Sequence, residues 1–268
     1  MTHVFNSDRY VNPYTDFGFK MLFGTEVNKE LLISFVNSLL QGKEVIKDLT
    51  YLNTEHLNAF EFDRKSIFDV YCENEKGEKI LVEMQRGELQ NFKANRLYYT
   101  PPHNQGPEKQ EQEQGWDFHP KAVYVIGILN FVFYNKQNDY FHHEVKLMDS
   151  RTQEAFYDKL TFMYLEMPKF NKTEDQLETL LDKWLFVLRN LTSLPEPPTT
   201  LQDHTFKCLF EVAEISNLTM RQYEAYEKSL KTYRDWKAMI EAAYNRGLAE
   251  GLAEAKAIAE GRKKGLPK

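Results

Sequence analysis

Ser66-Ile67-Phe68-Asp69-Val70-Tyr71-Cys72-Glu73-Asn74-Glu75-Lys76-Gly77-Glu78-Lys79-Ile80-Leu81-Val82-Glu83-Met84-Gln85 reads as two alternating strands joined by a short polar turn. With Glu75-Lys76-Gly77 as a three-residue loop, Gly77 takes the left-handed position that closes a type I turn. Phe68 then meets Met84, Val70 meets Val82 and Cys72 meets Ile80, so one face of the hairpin is apolar. On the other face Asp69 pairs with Glu83, and Gln85 points the same way two residues on. A two-residue loop would slip the register by one and part the two acids; the apolar pairing favours the three-residue version.

Carboxylates directly opposed on a sheet repel. They share a proton, bind a cation, or stand apart on a solvated face. An oxygen-only donor set suits Mg²⁺, Mn²⁺ or Ca²⁺ rather than zinc.

Beyond the hairpin, Lys121 to Tyr134 is almost continuously apolar, as expected of a central strand covered on both faces. A first strand is expected within Ile46 to Leu57, and others near His142 to Met148 and Leu160 to Met167. Asn28 to Leu40 has the apolar spacing of an amphipathic helix that Gly42 stops, and Asp16 is a candidate N-cap for a short helix before it. Leu89 to Tyr99 reads as a further helix, which Thr100-Pro101-Pro102 cannot continue. From Thr173 the pattern turns helical over Glu174 to Arg189, Gln202 to Ile215 and Thr219 to Tyr244. In the tail, Gly247, Gly251, Ala255 and Ala259 recur every four residues and would line one helix stripe suited to self-association. The expected division is a domain over 1–170, a helical region over 171–244 and a helical tail over 245–268.

The 268 residues carry a net charge of −6, which argues against a passive nucleic-acid coat but not against a metal-dependent enzyme acting on nucleic acid. Two distant cysteines make neither a disulfide framework nor a zinc signature. No apolar run is long enough to span a membrane and the first residues lack signal-peptide character, so a cytoplasmic protein is expected. His142-His143 reads as two ordinary surface or half-buried histidines rather than a metal pair, because neighbouring strand residues face opposite ways.

An acid on one strand followed by Glu-X-Lys on the next is the PD-(D/E)XK nuclease pattern, here with Gln85 in the lysine's place. Asp16-Phe17-Gly18-Phe19-Lys20-Met21-Leu22-Phe23-Gly24, Phe68-Asp69-Val70, Val82-Glu83-Met84-Gln85, Arg96-Leu97-Tyr98-Tyr99 and the Gly-rich tail together resemble the Rpn family of recombination-promoting nucleases and transposases. The resemblance implies an α/β, restriction-endonuclease-like fold, a mixed central sheet flanked by helices and followed by a helical C-terminal region. It also implies metal-dependent cleavage of DNA, with Mg²⁺ the expected cation and Mn²⁺ or Ca²⁺ as alternatives. By position, Asp69 and Glu83 would ligate the cation and Gln85 would stand beside the attacking water. Asp16, Glu26 or Glu30 could add an acid, while Arg64, Lys65, Arg86, Lys93 and Arg96 are candidate phosphate contacts or ordinary surface charges. The rival reading is a catalytically silent DNA-binding or assembly module that keeps the fold. Either form would be a homo-oligomer joined through its C-terminal helices.

Overall fold

The computed structural model describes residues 8–52, 69–85, 87, 121–132 and 139–263. The chain divides into two compact units, Met1–Leu218 and Thr219–Lys268. In the first unit, six strands form one mixed sheet in the order β1-β2-β3-β4-β6-β5. They are β1 Leu49–Tyr51, β2 Val70–Asn74, β3 Lys79–Gln85, β4 Val123–Leu129, β5 His142–Met148 and β6 Ala155–Glu166.

The hairpin register is the one that alternation and Gly77 predict. Val70 pairs with Val82 and Cys72 with Ile80, antiparallel. Gly77 has φ +77°, in the left-handed region that favours glycine. Val70, Cys72, Ile80 and Val82 are buried, so that face enters the core as expected. Strand β4 lies between β3 and β6 and is parallel to both, which explains its nearly unbroken apolar sequence. The edge strand β5 runs antiparallel to β6.

Among the described residues, four α-helices accompany the sheet within this unit: α1 Asp16–Phe23, α2 Lys29–Leu40, α3 Leu180–Asn190 and α4 His204–Ala213. Tyr51 shares the Cys72 face by register and donates its hydroxyl to the Phe23 carbonyl at 2.8 Å, placing α1 over that face. Asn37 on α2 clamps the chain leading to β1 by bonding both the carbonyl and the amide of Ile46, each at 2.8 Å.

Three expectations about the helices are corrected. Thr15, not Asp16, caps α1: its hydroxyl accepts from the Gly18 amide, while Asp16 is the first helical residue and pairs with Lys20 at 2.8 Å. The stretch from Glu174 opens with a 3-10 turn over Glu174–Gln176, and α3 begins only at Leu180. Thr179 and Asp182 start α3 as a reciprocal capping box, satisfying amides that a new helix leaves without partners. In the second unit a single helix, α5 Met220–Lys263, runs without a break from the expected third helix into the Gly-containing tail. No helix among the described residues is long and apolar enough to cross a membrane.

Asp182 allows a pH test of this architecture. Its carboxylate is buried and accepts from Lys172 Nζ at 2.8 Å and from the Thr179 amide at 3.0 Å. Burial alone would push the carboxyl's pKa up, but the Lys172 ammonium and the Thr179 amide more than offset this, and the pKa falls. A depressed folded-state pKa contributes stability above the unfolded value and loses it as pH falls through the folded one. Asp182→Asn is therefore expected to cost about 1–3 kcal/mol at pH 7. The gap from the parent should narrow below about pH 4, the ordinary range of an aspartate. Urea unfolding at pH 7 and at pH 3 reads both quantities, and an undiminished gap at pH 3 would contradict the assignment.

Candidate active site

Strands β3, β4 and β6 run parallel and end together at Gln85, Leu129 and Glu166, which the ladder registers side by side. Open sheets bind ligands at the carboxyl ends of such strands. Glu83 and Gln85 occupy that end, both half-buried, on the face away from Val82 and Met84.

Asp69 immediately precedes β2, and the ladder closes one residue later with Val70 opposite Val82. The Asp69 carboxylate replaces the missing strand acceptor: its Oδ2 accepts from the Met84 amide at 2.7 Å. Asp69 is thus anchored to the residue next to Glu83, by a side-chain bond where a further strand pair was expected. A carboxylate has about four lone-pair sites, so one backbone donor orients it without exhausting its capacity. The donor set of Asp69 and Glu83 is oxygen-only and fits a hard divalent cation. Among the described residues, no three His, Cys, Asp or Glu side chains converge on one point.

The Gln85 amide donates through Nε2 to the Gly87 carbonyl at 2.9 Å, which sets the direction of its Oε1 acceptor. Cys72, on the opposite face of the hairpin, is no nucleophile. Burial pushes its thiol up to about 12, and its Sγ lies 3.5 Å from the Ile80 carbonyl.

The candidate additional acids lie on α1 (Asp16), in the 3-10 turn Glu26–Asn28 before α2 (Glu26) and in the first turn of α2 (Glu30), and with Asp69 and Glu83 they form no cluster of three. Asp16 bonds Lys20. Glu26 bonds Lys29 at 2.9 Å, and Glu30 is exposed in the first turn of α2. Lys29 also bonds Asp48 at 2.7 Å; that bond first, and Glu26 second, raise its pKa to about 12. Arg64, Lys65, Arg86, Lys93 and Arg96 lie outside the described residues, as do Tyr98-Tyr99 and the 100–107 stretch.

One polar group was not anticipated from the sequence. Glu166 ends β6 fully buried, and its Oε2 meets Lys169 Nζ at 2.6 Å and His143 Nε2 at 3.1 Å. The signal was an acid closing the apolar run Phe162-Met163-Tyr164-Leu165. His142 and His143 do point to opposite faces, as strand geometry requires. Burial lowers the His142 pKa, so that ring favours its neutral form.

Residues 13–243 match the model of a family described as "PD-(D/E)XK nuclease family transposase". Comparison with curated proteins and with solved structures gives no match.

Proposed function

Because the chain belongs to the PD-(D/E)XK nuclease family transposases, we propose that it hydrolyses DNA phosphodiester bonds with a divalent cation held by Asp69 and Glu83. The observation that carries this reading is the anchoring of Asp69 to the Met84 amide, beside Glu83, at the carboxyl end of three parallel strands. Mg²⁺ is the cation that phosphate chemistry and oxygen ligands favour, with Mn²⁺ as the natural substitute.

A cation bound there would lower the pKa of a water and polarise a phosphate oxygen. The protein's own groups would act around it. Asp69 and Glu83 bring compensating negative charge to a place fixed by β2 and β3, so little reorganisation is needed when DNA arrives. Gln85 carries no charge and cannot serve as base or cation; its amide, held by Gly87, can orient a water or a phosphate oxygen by hydrogen bonding. Charge neutralisation would therefore rest more on the metal than in a site with lysine.

The test is supercoiled plasmid incubated with the full chain and Mg²⁺, Mn²⁺ or Ca²⁺, beside Asp69→Ala/Glu83→Ala. Nicking that needs the cation, stops with excess chelator and is absent from the variant is the expected result. Equal nicking by both proteins would remove the site assignment. Binding of DNA without nicking, under every cation, would favour the silent module.

Self-association is the second part of the reading. Ile240, Tyr244, Leu248 and Leu252 recur every four residues on α5 and are all exposed, forming an apolar stripe on a helix rich in Glu, Lys, Arg and Ala. Sedimentation velocity of the full chain should show a species larger than the monomer that Leu248→Glu/Leu252→Glu reduces. A monomer at all concentrations would contradict it.

A further inference from the structure

Among the described residues, β5 has a ladder partner on one side only and so forms an edge of the sheet beside β6. An edge strand directs alternate backbone amides and carbonyls away from the sheet, where another strand can take them up. This edge is unbroken. The ladder shifts where Lys146 faces Thr161, Leu147 faces Tyr157 and Met148 faces Ala155, so the residues passed over, 158–160 and Phe156, lie on β6 and not on β5. Glu144, Lys146, Leu147 and Met148 are all exposed along it.

The sequence of β5 is complementary to itself. Two antiparallel copies related by a two-fold axis at Val145 would set Glu144 of each opposite Lys146 of the other. An axis at residue 144 would oppose glutamate to glutamate, and one at residue 146 lysine to lysine. An axis between residues gives neither charge an opposite partner. Directly opposed unlike charges stabilise a strand pair and like charges destabilise it, so charge selects the register around Val145. The same register sets Leu147 opposite His143 and Met148 opposite His142 at either end of the pair. Tyr140, whose ring meets that of His143 edge-on at 5.3 Å between centroids, is exposed there as well. Pairing would therefore cover exposed apolar side chains together with backbone.

We propose that β5 is a second self-association surface, joining two copies of the chain antiparallel around Val145 into one continuous sheet. A lysine on an edge strand discourages pairing with arbitrary strands, because it is matched only where a carboxylate stands opposite. A second copy supplies that carboxylate from Glu144. Within its own chain Glu144 meets Lys43 at 2.6 Å and Lys146 at 2.9 Å. A carboxylate has about four lone-pair sites, which leaves capacity for the lysine of a second copy. The ladders align Glu83, Gly127, Tyr164 and His143 in one row, so a two-fold axis perpendicular to the sheet would present Glu83 of both copies on one face. This surface is separate from the stripe on α5 and is tested separately.

Sedimentation equilibrium of the full chain carrying Leu248→Glu/Leu252→Glu, which disrupts the α5 stripe, isolates β5. This protein is expected to remain a dimer. Adding Glu144→Lys, or separately Lys146→Glu, sets like charges opposite at both pairs and should weaken the dimer at least about tenfold, with unchanged circular dichroism. An equimolar mixture of these two charge variants should dimerise again, because each strand then meets the opposite charges of the other. A role confined to one chain gives no such rescue on mixing. A monomer at all concentrations before the charge changes would overturn the inference and leave the edge to an extended segment of some other protein. Charge variants that dimerise like their parent, or a mixture that stays apart, would overturn it too. Association through α5 is judged apart from this, by whether Leu248→Glu/Leu252→Glu reduces the oligomer of the unaltered chain.

Discussion

Asp69→Asn is expected to lower metal-dependent nicking by at least about 10²–10³-fold, the range seen when one preorganised electrostatic contact is removed from a catalytic site. Its stability should stay within about 0.5 kcal/mol of the parent, as for a change that keeps the local contacts. The pairing of these outcomes follows from two separate duties of one side chain. The Asp69 carboxylate accepts the Met84 amide proton at 2.7 Å and so closes the end of the hairpin. Asparagine offers a carbonyl oxygen in the same place and can accept the same proton, so the architecture survives. What it lacks is the charge that a hard cation requires. Asp69→Ala removes both and should additionally cost about 1–3 kcal/mol, because the Met84 amide is left without its acceptor. Plasmid nicking and urea unfolding on the two variants separate the roles. Activity retained in Asp69→Asn but lost in Asp69→Ala would make Asp69 a structural residue and shift the chemistry elsewhere.

The hairpin was legible because its signals are local. Alternation of apolar and polar residues in Phe68-Asp69-Val70 and Val82-Glu83-Met84-Gln85, with one glycine able to adopt a positive φ, leaves one register that buries the apolar face. The central position of β4 was legible for a similar reason, since a strand covered on both faces must be apolar on both. The row in which the strand registers align Glu83, Gly127, Tyr164 and His143 was not. Its members lie on four strands, and their proximity depends on the order β3-β4-β6-β5, which no local pattern specifies. Glu166 was hidden in the same way, because the partners that make its burial tolerable, the His143 ring and the Lys169 ammonium, come from β5 and from the turn after β6. The cap of α1 was missed by one position: Thr15 and Asp16 are both good capping residues, and local propensity does not choose between neighbours.

Trp184→Ala should be the most destabilising single substitution in the helical part of the first unit, costing about 3–5 kcal/mol. The residue reports how firmly the helices after the sheet belong to it. Trp184 on α3 is fully buried, with ring centroids 5.7 Å from both Phe23 on α1 and Phe35 on α2, and 5.1 Å from Phe206 on α4. One side chain on α3 therefore joins α1, α2 and α4. Its indole N–H donates to Ser34 Oγ at 3.2 Å, so its polar atom is satisfied inside the core. Alanine would remove the ring contacts and leave a large cavity among three aromatics that cannot all close on it. Trp184→Phe keeps most of the volume and loses the N–H, so it should cost less, by about 1–2 kcal/mol for the smaller cavity and lost bond. Ser34→Ala isolates the hydrogen bond at about 1 kcal/mol. Domains of ordinary stability have only about 5–15 kcal/mol to lose, so the alanine variant should unfold at much lower urea, followed by circular dichroism. If the strands and helices of this unit are one cooperative structure, Trp184→Ala should lower the unfolding midpoint of the whole unit. A separate early transition confined to helical signal would instead mean that α3 and α4 are an independently melting layer, and that the site on β2 and β3 does not depend on them.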